Sequence, residues 1–193
     1  MTAESTPRQA KEPAWANCLG TIAVLFGILF TAAQGNELMI QAVIAPDSAA
    51  ARNIPADCRK DEAEQERVSI AECELMVANV KIMIASRPSW FRGVQMGLAL
   101  LGTLVAFGSI LVGVALVDYR RWAPGAAVIT FATLVVLDGV GFMTAFYTGP
   151  LLRALYLWNI LLWFSIHLCM TLGAVAGRRA ERVARHRADT VTA

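Results

Sequence analysis

Four side chains with chemical potential fall inside or beside long apolar runs. Asp138 interrupts "VVLDGVGFM", Asn159 lies in "YLWNILLWF", His167 follows in "SIHLCM", and Glu37 sits in "QGNELM" near the end of an apolar block. A carboxylate and an imidazole can exchange a proton, and an amide can hold either one in place. Ionisable groups inside a bilayer are costly and mark ion pathways, proton relays or ligand sites. The plainer alternative is a polar pair that fixes helix register while neighbouring aromatics fill the core.

These residues are intramembrane because of the blocks that hold them. The chain has 193 residues, 56% of them hydrophobic and 17% charged. An apolar run of 18 or more residues can cross roughly 30 Å of hydrocarbon as a helix. Trp15–Ala33, Val94–Val117, Gly125–Phe146 and Ala154–Ala176 each qualify. The expected fold is an all-α four-transmembrane-helix bundle, with residues 13–177 as the membrane domain. Residues 1–12 read as a disordered N-terminus and 178–193 as a basic tail.

Charge placement orients the bundle. Arg178, Arg179, Arg182, Arg185 and Arg187 follow span four, Arg120 and Arg121 join spans two and three, and Arg8 and Lys11 precede span one. Positive segments stay in the cytoplasm. Both termini are therefore expected inside, with the link 46–89 between spans one and two outside. The tail arginines read as an anchor to anionic lipid at the membrane surface. Arg8 and Lys11 ahead of an apolar stretch ending in "FTAAQG" also fit a signal peptide cut after Ala33. The length of that stretch and the helical pattern continuing past it weigh against cleavage.

The outer link is expected to be partly helical. Acids open "DEAEQERVSIAECELMVANVKIMIAS", where they suit the positive end of a helix dipole. From Leu75 to Ala85 it is apolar on nearly every face yet too short to cross, which fits a segment on the membrane surface or the bundle rim. Cys58 and Cys73 share this link, and in an oxidising compartment they are expected to form a disulfide. A helix beginning at Asp61 would carry Cys73 about 18 Å along its axis. A disulfide needs Cα atoms within about 7 Å. The bond therefore requires the helix to begin nearer Val68. Cys18 and Cys169 lie within spans one and four and read as buried small residues.

Packing faces are visible as well. Gly102, Ala106, Ser109 and Gly113 fall on one side of span two, a small-residue face that lets helices approach closely. Span one carries Gly20, Ala23, Gly27, Thr31, Gln34, Glu37 and Gln41 within about 120° of arc. The polar end of that face is expected to meet the outer link or a water-accessible mouth, with Glu37 solvated or paired to the loop. Span four carries Tyr156, Asn159, Trp163, His167 and Met170 on one stripe.

Spans three and four are joined by the short "YTGPLL", which makes them antiparallel neighbours. Residues equally far from the Thr148–Gly149 turn should face each other. By that count Asn159 is the expected partner of Asp138, and His167 lies opposite Thr130.

Several chemistries lack a motif. The chain has no Gly-rich phosphate loop, no His-Glu-x-x-His, no usable Ser-His-Asp set and no Cys-x-x-Cys. His167 is the one histidine outside the tail, so neither a metal site nor a haem pair is expected, and no cofactor is implied. Nothing points to nucleic acid.

The stretch "GSILVGVALVDYRRWAPGAAVI", a glycine-bearing second span ending in basic residues and Trp122, resembles uncharacterised bacterial four-helix (tetraspan) inner-membrane proteins. The cysteine-bearing first outer loop is also similar to the plan of claudin-type proteins, although their outer Trp-Gly-Leu-Trp signature is absent. The resemblance implies a multi-pass protein of the inner membrane and transfers no site. Three functions follow as expectations. The first is a non-enzymatic structural, accessory or interaction subunit that associates with other membrane proteins or with itself. The second is a small transporter or channel component using Asp138, Asn159 and His167, which a water-filled cavity reaching Asp138 would favour. The third is a membrane redox enzyme.

Overall fold

The structure, a computed structural model, describes residues 14–43, 58–59, 61, 65, 67–85 and 88–192. The expectations for residues 1–12 and for 46–57 lie outside them. Five helices are described: α1 (Ala14–Val43), α2 (Ile70–Ala85), α3 (Ser89–Val117), α4 (Ala123–Phe146) and α5 (Pro150–Thr192). Four of these, all but α2, are long and apolar enough to cross a membrane. The protein is an all-α four-helix bundle and a multi-pass membrane protein.

The tightest seam joins α1 to α3, and it is built on missing side chains. A Cβ on Gly20 would lie 2.6 Å from the Gly113 carbonyl oxygen, and one on Gly113 would lie 2.8 Å from that of Gly20. A Cβ on Gly27 would meet Ser109 Oγ at 2.8 Å, and Gly102 packs on the Gln34 side chain. Ser109 Oγ donates to the Ala23 carbonyl at 3.3 Å across this seam. Lipid tails are as apolar as leucine, so close backbone packing and interhelical hydrogen bonds must hold the pair. The small-residue faces of spans one and two meet each other here.

The remaining seams run α3 to α4 and α4 to α5, with a shorter contact between α1 and α5. The core is correspondingly fine-grained: Ala16, Ala23, Ala115, Ala123, Ala127 and Ala174 are buried around Leu116, Phe131 and Met170. Gly177 seats Trp15, since a Cβ there would lie 2.3 Å from the indole.

Two helix ends explain the links. α3 stops in a Schellman arrangement: Arg120 N–H donates to the Ala115 carbonyl at 2.9 Å and Tyr119 N–H to that of Leu116 at 3.1 Å. Tyr119 takes the left-handed conformation, φ 55°, where glycine is usual. At the start of α2, Ser69 and Glu72 form a capping box. Glu72 N–H donates to Ser69 Oγ at 3.2 Å, and Ser69 N–H donates to Glu72 Oε2 at 2.8 Å. This cap holds the helix start at Ile70, close to the Val68 expected. The Cys58–Cys73 disulfide forms as a result, with Cα atoms 6.0 Å apart. The Ser69 backbone and hydroxyl donors hold the exposed Glu72 carboxyl below its ordinary value.

Three expectations are corrected. Cys18 and Cys169 are exposed on the bundle's outer face rather than buried; a thiol is apolar enough to face lipid. Glu37, expected to be solvated or paired to the loop, is half-buried and bonded to Gln41 and Tyr156. The third correction concerns Asp138.

Candidate functional site

Asp138 is held by His167, not by Asn159. His167 Nδ1 and Asp138 Oδ2 share a hydrogen bond at 2.6 Å, with side chains 2% and 7% exposed. Asn159 is exposed on the outer side of α5. The cause is the register of the α4–α5 hairpin. Arg153, in the first turn of α5, donates from Nη2 to the Phe146 carbonyl at 2.7 Å and stacks on the Phe146 ring. That turn is therefore tied to the end of α4. Gly141 faces Ile160 as a result, and Asp138 meets a residue two turns beyond Asn159.

Aromatic rings enclose the pair. Phe30 of α1 presents its edge to the His167 ring at 4.8 Å between centroids, and Trp163 stacks on it at 5.7 Å. Phe30 and Trp163 also touch each other at 4.7 Å. His167 is thus the point where α1, α4 and α5 converge. It is bonded to α4, covered by α1 and stacked on its own helix.

A second polar group lies further along α1. Glu37 accepts from Gln41 Nε2 at 2.7 Å and from the Tyr156 hydroxyl of α5 at 3.0 Å. Arg92 of α3 donates from Nε to the Gln41 carbonyl at 3.0 Å. Glu37 is therefore paired inside the bundle rather than solvated or paired to the loop. The structure brings Asp138 and His167 together, ties Glu37 to Tyr156, and leaves Asn159 apart from both.

A carboxylate bonded to imidazole Nδ1 fixes the ring's tautomer and orientation. With an open path on its far side, such a pair can relay a proton or act as an acid–base couple. Neither Asp138 nor His167 lines the apolar groove of about 380 Å³ between α1 and α5, whose walls include Phe26, Ser165, Cys169 and Met170. Nor do they line the two cavities at the Arg121 end of the bundle. Both side chains are buried, and the pair joins α4 to α5 beneath Phe30.

Comparison of the chain with protein-family models, with curated proteins and with solved structures finds no match. The class of the protein, a four-helix multi-pass membrane bundle, therefore rests on the fold itself.

Proposed function

We propose that the protein is a non-enzymatic accessory or interaction subunit of the bacterial inner membrane, with both termini in the cytoplasm and the disulfide-bearing link outside. One observation carries this reading. Asp138 and His167 are hydrogen-bonded to each other, and Phe30 and Trp163 cover the imidazole. A buried hydrogen-bonded pair of this kind serves to choose one helix arrangement, and a precisely held bundle is what a docking partner requires. The arginines of the α3–α4 link and of the end of α5 support the orientation.

The test is crosslinking in intact membranes followed by purification of the full chain in mild detergent. A defined stoichiometric partner, or a second copy of the chain, is expected. A monomer that conducts protons or cations in liposomes, and stops when Asp138 becomes Asn, would replace this reading with the transporter.

A further inference from the structure

The Arg121 end of the bundle carries a second feature, unconnected with the buried pair. A cavity of about 340 Å³ is lined by Arg121, Trp122, Arg178, Arg182 and Glu181, with Pro124 and Gly125 of α4 completing the wall. A smaller cavity of about 140 Å³ adjoins it and shares Arg121, Pro124 and Glu181. Three guanidinium groups thus share one concavity with a single carboxylate. They come from separate parts of the chain. Arg178 and Arg182 stand one turn apart on the same face of α5, and Arg121 arrives from the link whose path the Schellman turn at Tyr119 sets.

Glu181 offsets only part of the positive charge of the three arginines around this hollow, and the excess favours a bound anion among them. Guanidinium groups match the oxygens of phosphate in paired, fork-like hydrogen bonds. The first turn of α4 adds its own partial positive charge. Trp122, 58% exposed, stands beside the cavity at the end of the apolar spans, the level at which indoles sit at a membrane interface. We propose that this cavity is a recognition site for a phosphate group, presented either by an anionic phospholipid headgroup or by a soluble phosphoester.

The experiment is a native mass-spectrometric titration of the full chain in detergent. The probes are phosphatidylglycerol, phosphatidylcholine of the same chain length, and inorganic phosphate as competitor. Phosphatidylglycerol is expected to bind more tightly than phosphatidylcholine. The double variant Arg121→Gln/Arg178→Gln should weaken it at least about tenfold, the loss expected of one charge-assisted contact. Arg187→Gln, exposed on the same helix outside the cavity, removes only a diffuse surface charge and should weaken binding less than about twofold, far less than the double variant. Displacement by inorganic phosphate at the same arginines would assign the site to a soluble phosphoester; resistance to it would assign the lipid. Circular dichroism and the thermal midpoint check that the variants fold, and Arg182→Gln alone serves if the double variant does not. Equal weakening by Arg187→Gln, or no preference among the probes, would overturn the site in favour of diffuse attraction.

Discussion

Asp138 and His167 offer the most direct test of the bundle. Replacing Asp138 with Leu removes one partner and leaves the imidazole buried at 2% exposure without its acceptor. An unsatisfied buried polar group costs roughly 1–3 kcal/mol. His167→Phe keeps most of the ring contacts with Phe30 and Trp163 and orphans the carboxyl instead, at a similar cost. Hydrogen bonds between membrane helices average about 0.6 kcal/mol and reach about 1.7. The 2.6 Å separation and deep burial place this one at the upper end. The double variant Asp138→Leu/His167→Phe should therefore cost no more than the worse single, with a coupling of about 1–2 kcal/mol. Reversible unfolding of all four proteins in bicelles measures this cycle. Asn159→Leu is the control. Its side chain is exposed, so the change should stay within about 0.5 kcal/mol. Single-variant costs that add to within about 0.5 kcal/mol would mean the two residues do not interact in the membrane, and the α4–α5 register drawn above would be wrong.

Other consequences are sharp enough to measure. Gly113→Ala forces a Cβ to within 2.8 Å of the Gly20 carbonyl and should destabilise the bundle by about 1–3 kcal/mol. Gly108→Ala, with nothing within 4 Å, should instead stabilise it by about 0.5–1 kcal/mol; the same unfolding assay reads both. Glu72 has a lowered carboxyl pKa, so its contribution to the start of α2 is full above the ordinary carboxyl value and is lost as pH falls through the lowered one. The protection of the Glu72 and Cys73 amides, after correction for intrinsic exchange, should fall in acid, and Glu72→Ala should remove that dependence. Cys58 and Cys73 should resist alkylation until reduced, and reduction, which reopens a loop of 15 residues, should cost about 3 kcal/mol. A reporter active only in the cytoplasm should work at either terminus; activity at one end alone would remove the four-span orientation.

Much of this architecture is local and therefore legible along the chain. Span lengths follow from the thickness of hydrocarbon, and the residues facing a neighbour recur at the helical period. The glycine faces of α1 and α3 could thus be found before it was known that they meet. The capping box was equally open to inspection in "SIAE", and a Ser followed three residues later by Glu would have placed the start of α2. The partner of Asp138 was different in kind. Equal spacing from the Thr148–Gly149 turn assumes that both helices keep one register from it, and they do not: Gly141 faces Ile160 while Asp138 meets His167. An antiparallel hairpin can slide by whole turns while keeping the same residues inside, so helical periodicity does not select a register. Contacts between distant residues do, and the bond from His167 to Asp138, closed over by Phe30 from α1, exists only once three helices are packed together.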